Sequence, residues 1–446
     1  HYDQAIESYR KALEIKPEFA DGYNNLASAF KEVGNLDEAI IYYHKALEIK
    51  PAYAEAYWNL GNCYKEKKLL DEAIRMYRQA VEKKCDYADA YLNLGTVFEL
   101  KGDLENSIRY FREALVINPV FAEAYCNLGH AFKEKGEMEK AFENTRKAID
   151  INPALVDAHY NMGMILQQKG ECQKSLEFFQ NAVRLYPNDS PDYKRSKTFM
   201  LKSLYTLGAE SEFFENLIEM VQSGQISSLL GSLCSRAGVR YGGNIKNPFC
   251  NDPLNYVSYR QLMVDRDFED TFYEAANTIL SGSDSELKYQ GLLINADQTA
   301  GNIFSQESNF SRKVKEIIHS EIAWYRQKYQ DSEEGFLVNW PENYSLYGWL
   351  VSYRSGGSIL PHMHENGWIS GSIYIRVPKT DVSEEGDLFV SIDECQYNPA
   401  PEATRGKVIE VQTGGICLFP ASLHHCTIPF ESLENRIVLA FDVNPR

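Results

Sequence analysis

A recurrence every 34 residues dominates the first part of this 446-residue chain. Tyr23, Tyr57, Tyr91, Tyr125 and His159 hold one phase, and Leu26, Leu60, Leu94, Leu128 and Met162 another. A small residue follows the second set each time: Ala27, Gly61, Gly95, Gly129 and Gly163. Later in the unit come Ala39, Ala73, Ser107, Ala141 and Ser175, then Ala46, Ala80, Ala114, Ala148 and Ala182. Pro51, Pro119, Pro153 and Pro187 close the unit, with Cys85 in place of one proline. Each unit therefore predicts two amphipathic helices. Small residues let the pair approach closely, large ones fill the gap, and proline ends the second helix. One pair cannot bury its apolar face by itself, so units stack into a curved solenoid with a concave surface.

The pattern resembles the tetratricopeptide repeat, with five full units over residues 20–189. Ala5, Tyr9, Ala12 and Pro17 fit the second half of an earlier unit, so the natural chain is expected to begin before residue 1. Asn25, Asn59, Asn93, Asn127 and Asn161 occupy one position in every full unit. A primary amide both donates and accepts, so such a row could hold an extended peptide by its backbone. The row is similar to the asparagine ladder of the O-GlcNAc transferase superhelix. The same amides could instead bond the adjacent repeat. Asp21, Glu55, Asp89, Glu123 and Asp157 form an acidic row that suits helix N-termini.

A formal net charge of -17 argues against a nucleic-acid partner, which needs clustered Lys and Arg. No apolar run reaches transmembrane length, and no signal peptide is visible. Nine cysteines without a C-x-x-C pair read as reduced thiols, which points to a cytoplasmic setting. The sequence leaves self-association open.

Three segments are expected: a repeat solenoid over 1–189, a helical cap and linker over 190–256, and a catalytic-type domain over 257–446. Ser196 to Leu207 and Glu210 to Val221 read as capping helices, and 222–256, rich in Gly, Ser and Asn, as loop. Gly242-Gly243 lacks the G-x-x-x-x-G-K-[ST] of a phosphate loop. Two helices follow, Arg266 to Leu280 and Ser311 to Tyr329, the second carrying His319 on its surface. From Tyr344 the pattern turns to short strands: Leu346 to Tyr353, Ile369 to Val377, Asp387 to Ile392, Lys407 to Val411, Ile416 to Phe419 and Arg436 to Val443. Their spacing suits a jelly-roll or cupin-type barrel.

Four of the nine histidines lie in Pro361-His362-Met363-His364-Glu365-Asn366-Gly367 or in Leu423-His424-His425-Cys426. Side chains two apart on a strand share a face, so His362 and His364 project together. One of His424 and His425 could join them, and imidazole suits iron, zinc, copper and nickel. H-E-x-x-H is absent, as is the P-C-x-x-C of zinc deaminases. Cys426 is read as a buried inert thiol, and Trp349 and Trp368 as core.

His362-Met363-His364, Trp368-Ile369-Ser370-Gly371, Ile373-Tyr374, Leu418-Phe419-Pro420, His425, Pro429 and Arg436 resemble a 2-oxoglutarate/Fe(II) oxygenase family that often follows tetratricopeptide repeats. The resemblance spans about residues 340–443. It implies an α solenoid followed by an α+β domain with a double-stranded β-helix core, with iron(II), 2-oxoglutarate and O2 as cofactor and cosubstrates. It also implies His425, not His424, as the distal metal ligand, and Arg436 as the clamp on the cosubstrate's far carboxylate. A guanidinium's planar fork suits that task. The alternative is an internal ion pair with Glu431 or Glu434. Tyr353 and Tyr374 are further pocket candidates.

The usual ligand set is two histidines and a carboxylate two residues after the first. Here that place is His364. It could be a third neutral ligand, Glu365 or Asp387 could swing in, or two histidines could suffice. The chain reads best as an iron- and 2-oxoglutarate-dependent hydroxylase acting on a peptide or protein held by the repeats. A non-catalytic scaffold with a degenerate barrel, and a cupin-type small-molecule dioxygenase with three histidines, are the other readings.

Overall fold

The computed structural model describes the chain apart from residues 1, 244, 263–265, 282–291, 300, 306–307, 380–381, 383 and 395–404, and the side chains of 266–271. One cysteine, Cys395, therefore lies outside the described residues; Cys63, Cys85, Cys126, Cys172, Cys234, Cys250 and Cys417 are free thiols. The chain divides into two compact units, His1–Asn188 and Asp189–Arg446.

In the first unit Tyr2–Ile15 precedes paired helices that run from Ala20–Glu32 with Leu36–Ile49 to Val156–Gln168 with Cys172–Leu185. The small residues sit where the pairs touch: Ala39, Ala73, Ser107, Ala141 and Ser175 have no exposed surface. The glycine column has a steric cause. A Cβ at Gly61, Gly95 or Gly163 would lie 2.6, 2.5 or 2.7 Å from the ring of Tyr77, Phe111 or Phe179 on the partner helix. A second column, at the turn inside each pair, holds Gly34, Gly102, Gly136 and Gly170 in the left-handed region. Lys68 takes that place once, at φ 60°. A residue with a Cβ costs about 1–2 kcal/mol there.

The second unit opens with the helices Pro191–Leu207, Glu210–Gln222 and Ser228–Tyr241. The third falls in the stretch expected to be loop. Its N-cap Ser227 accepts from Leu230 N, and Leu229, Leu230, Leu233, Cys234 and Ala237 form a buried stripe. Gly231 sits against Phe249, where a Cβ would come within 2.5 Å. Packing thus outweighs the weak helix propensity of its glycines and serines. The helices Arg266–Ser281 and Asn309–Lys328 match expectation within a few residues.

Among the described residues nine strands follow or interleave: β1 Ser258–Gln261, β2 Leu293–Gln298, β3 Tyr344–His362, β4 Ile369–Arg376, β5 Leu388–Ser391, β6 Gly406–Ile409, β7 Gly415–Pro420, β8 His424–Thr427 and β9 Arg436–Pro445. They pair antiparallel in the order β1-β7-β4-β9-β3-β8-β5-β6, with β2 also on β3. Strand β3 changes partner along its length. Residues 344–353 pair with β9, whereas Ile359 and His362 pair with Thr427 and His425 of β8. It therefore joins β9 to β8 within one barrel-like antiparallel sheet of jelly-roll, double-stranded β-helix type.

Side-chain alternation separates two cores. Leu350, Ile369, Ile373, Leu418, Leu439 and Phe441 face the helices Arg266–Ser281 and Asn309–Lys328. Val351, Tyr353, Tyr374, Leu388, Val390, Phe419 and Val438 face the barrel interior. On β9 this places Arg436, Val438 and Asp442 on the interior face.

Candidate metal centre

His362 and His425 are direct cross-strand partners, and His364 lies just past the end of β3. One ring nitrogen from each of the three lies within 4.8 Å of the others. The ring centroids are 4.4 Å apart for His362–His425, 4.9 Å for His364–His425 and 5.1 Å for His362–His364. His424 faces the other way, with Nε2 3.8 Å from Glu394 Oε1. Strand alternation brings His425, not His424, to the cluster.

The hydrogen bonds fix which nitrogens face inward. His362 Nδ1 donates to Leu360 O at 2.9 Å, and His364 Nδ1 donates to Asp442 Oδ1 at 2.6 Å. Their Nε2 atoms then meet at 3.2 Å. Two imidazole lone pairs repel at that distance unless a proton or a metal cation lies between them. His425 adds a further imidazole, with Nδ1 buried and unpartnered among the described residues. The donor set fits a cation with a preference for nitrogen ligands.

Burial, with His364 contributing, pushes His362 down to about 4, and burial pushes His425 well below the ordinary histidine value. Burial also lowers His424, to about 3. All three are thus held neutral in the fold, whereas in the unfolded chain they titrate near 6.5. Between those values the unfolded chain binds more protons, so stability rises with pH through the window. The contribution is complete above about pH 6.5 and is lost as pH falls towards 4. Denaturation of the metal-free chain should show a lower midpoint at about pH 5 than at about pH 7. An unchanged midpoint would mean that these histidines are not buried neutral.

Arg436 is 1% exposed. Its Nη1 donates to Thr427 Oγ1 at 2.9 Å, while Nε and Nη2 have no partner among the described residues. The rings of Tyr353 and Tyr374 flank it, with centroids 5.4 and 5.3 Å from Cζ. The ion pair weighed from the sequence is not formed: Glu434 binds Arg376 instead. Burial lowers Arg436 from its ordinary value and raises Tyr353 and Tyr374. Buried donors without acceptors are costly, and an incoming carboxylate would relieve that cost. Thr427 is two residues from His425 on β8, so the guanidinium's anchor lies about 7 Å along the strand from the imidazoles. A five-carbon diacid has the reach to engage both.

The acidic side chains considered as stand-in ligands are engaged elsewhere. Glu365 forms an ion pair with Lys202, and Ser228 Oγ donates to the Glu365 carbonyl at 3.0 Å. Asp387 accepts from Val411 N at 2.9 Å. The residue that sequence reasoning missed is Asp442. It shares the parity of Arg436 on one strand, and that signal was available.

The asparagine row is partly used within the solenoid. Asn59 Nδ2 donates to Asn24 Oδ1 at 3.3 Å, Asn93 Nδ2 to Asn62 Oδ1 at 3.0 Å, and Asn161 Nδ2 to Cys126 Sγ at 3.3 Å. Each bond reaches into the preceding repeat. Asn25 is exposed and Asn127 half-buried.

Residues 347–442 match the family described as "Putative 2OG-Fe(II) oxygenase". Tetratricopeptide-repeat families match residues 18–86, then 1–34, 100–136 and 129–170, and 156–189. No curated protein matches the chain. Among solved structures, the chain is similar to YrrB, described as a TPR protein with an unusual peptide-binding site. The identity is 29%, covering 41% of this chain and 95% of that one, with a TM-score of 0.34. It is also similar to MamA, at 28% identity over 37% of this chain and 91% of that one, TM-score 0.34. For MamA from Desulfovibrio magneticus RS-1 the values are 21%, 38%, 97% and 0.34. No described helix is long and apolar enough to cross a membrane. With stacked helical hairpins in its first unit and a strand barrel in its second, the chain carries tetratricopeptide repeats followed, over residues 347–442, by a segment that matches the 2OG-Fe(II) oxygenase family.

Proposed function

We propose that this protein is an iron(II)- and 2-oxoglutarate-dependent oxygenase that hydroxylates a peptide or protein engaged by its repeats. The observation that carries the reading is one interior surface bearing three converging imidazoles and a buried guanidinium with two unpartnered donors. His362, His364 and His425 would hold iron. Arg436, anchored by Thr427, would take the far carboxylate of 2-oxoglutarate, between the rings of Tyr353 and Tyr374. When bound, iron(II) supplies, with 2-oxoglutarate and O2, the oxidation of a C–H bond to an alcohol, as 2-oxoglutarate becomes succinate and carbon dioxide. The protein's share is to position these groups and to keep water from them, which the apolar interior around Val351, Leu388, Phe419 and Val438 favours. A scaffold role leaves the buried, half-unpartnered Arg436 without a purpose.

The substrate class rests on the repeats. The amides of Asn59 and Asn93 are oriented by their inter-repeat bonds through Nδ2, which leaves each carbonyl oxygen to accept from a peptide N–H. Asn25, Asn127 and Asn161 would extend the row. A tethered binding surface raises the local concentration of the target at the oxidising centre.

The experiment is succinate release by the full chain with iron(II), ascorbate, 2-oxoglutarate and a peptide pool. Peptide-stimulated turnover is expected, with a product heavier by one oxygen. Asn93→Ala with Asn127→Ala should raise KM for the peptide and leave kcat near wild type. Turnover that ignores the asparagine changes would move the substrate class to small molecules. Absence of both iron binding and succinate would remove the enzyme reading.

A further inference from the structure

We propose that Asp442 completes the three-histidine centre at one remove: it positions His364 and lends that imidazole the negative charge that a carboxylate ligand would otherwise bring. The inference rests on the metal-centre reading above.

The three histidines are not held alike. His362 and His425 are fixed by the β3–β8 pairing. His364 lies beyond the last residue of β3, where no strand ladder sets its direction. Its ring is oriented instead by Asp442 Oδ1, 2.6 Å from Nδ1, and by the edge-on Trp349 ring at 5.2 Å. Asp442 is itself fixed. It is 7% exposed, lies on the central strand β9, and pairs in register with Ser370 of β4. Ser370, 1% exposed, donates through Oγ to the same Oδ1 at 2.7 Å. Gly367 makes room: a Cβ there would stand 3.3 Å from Asp442 Oδ1 and 3.1 Å from the Ala421 methyl.

The charge count points the same way. Three neutral imidazoles give an iron(II) site one negative charge fewer than two histidines and a carboxylate. The nearby acids that could enter directly are committed, Glu365 to Lys202 and Asp387 to Val411 N. Asp442 restores the missing charge through the His364 ring. A carboxylate accepting from the far N–H of a ligating histidine fixes its tautomer and strengthens it as a donor. The geometry separates two contributions. Asparagine can still accept from His364 but carries no charge, whereas alanine removes both. Ser370→Ala loosens Asp442 and leaves its charge in place.

The test uses cobalt(II) as the metal, titrated into the metal-free full chain and followed by its visible absorption, which reports the ligand field. Asp442→Asn should weaken cobalt binding by about 10-fold and Asp442→Ala by about 100-fold, with a shifted absorption band. Ser370→Ala should fall between wild type and Asp442→Asn, and Asp442→Glu should recover part of the loss. The melting temperature of the metal-free Asp442→Asn chain should stay close to wild type, which a merely structural role would not allow alongside weakened binding. Wild-type binding with both Asp442→Asn and Asp442→Ala within twofold of it would overturn this inference and leave the metal centre standing. A wild-type chain that binds no cobalt would overturn both.

Discussion

Replacing Arg436 with methionine should weaken 2-oxoglutarate binding by at least about 30-fold while leaving the ligand-free chain as stable as wild type, or more so. The side chain is buried and only Nη1 is satisfied, so the folded chain bears the desolvation of a cation without full compensation. Exchanging buried ionic groups for apolar ones of similar volume is neutral or stabilising by about 1–4 kcal/mol. Removing one partner of a buried, hydrogen-bonded charge pair costs about 2–5 kcal/mol of binding, roughly 30- to 5,000-fold in affinity. Calorimetric titration with 2-oxoglutarate and chemical denaturation of the ligand-free chain read the two effects separately. Unchanged affinity would end the clamp assignment. Strong destabilisation would make Arg436 an ordinary structural residue. Lysine should rescue poorly, because a point charge cannot satisfy a carboxylate at two places.

The second large effect is at the imidazoles. His362→Ala and His425→Ala should each lower metal affinity by more than about 100-fold, since even loss of an outer partner costs about 10–100-fold. His424→Ala is the internal control. It neighbours His425 in sequence and is as deeply buried, yet it points towards Glu394. Its metal content after anaerobic reconstitution should equal wild type. If His424→Ala loses metal as His425→Ala does, the cluster is a coincidence of strand packing.

The solenoid was almost wholly legible, because every helix boundary repeats and the packing residues recur in fixed phase. What escaped was the left-handed turn column, where Lys68 interrupts the glycines and hides the period. In the second unit the strands that alternate cleanly were visible. The short β1, β2 and β8 were not, because runs of four to six residues read as strands only where turn residues frame a clear alternation. The helix Ser228–Tyr241 was hidden by its glycine and serine content, and its cause is Phe249, a residue outside it. The three histidines and Arg436 could be named from spacing and family resemblance. Asp442 shares the parity of Arg436, but parity alone does not single out a strand acid until the register sets it opposite Ser370. The asparagine row shows a different limit: periodicity locates a side chain, but not which of two neighbours it bonds.

Strand β9 follows every other strand in sequence yet lies between β4 and β3. During synthesis β3 and β4 therefore wait with open edges until residues 436–445 emerge. Unpaired apolar edges invite misassembly between nascent chains. The same late strand carries both Arg436 and Asp442, so neither side chain reaches the barrel interior before the barrel can close.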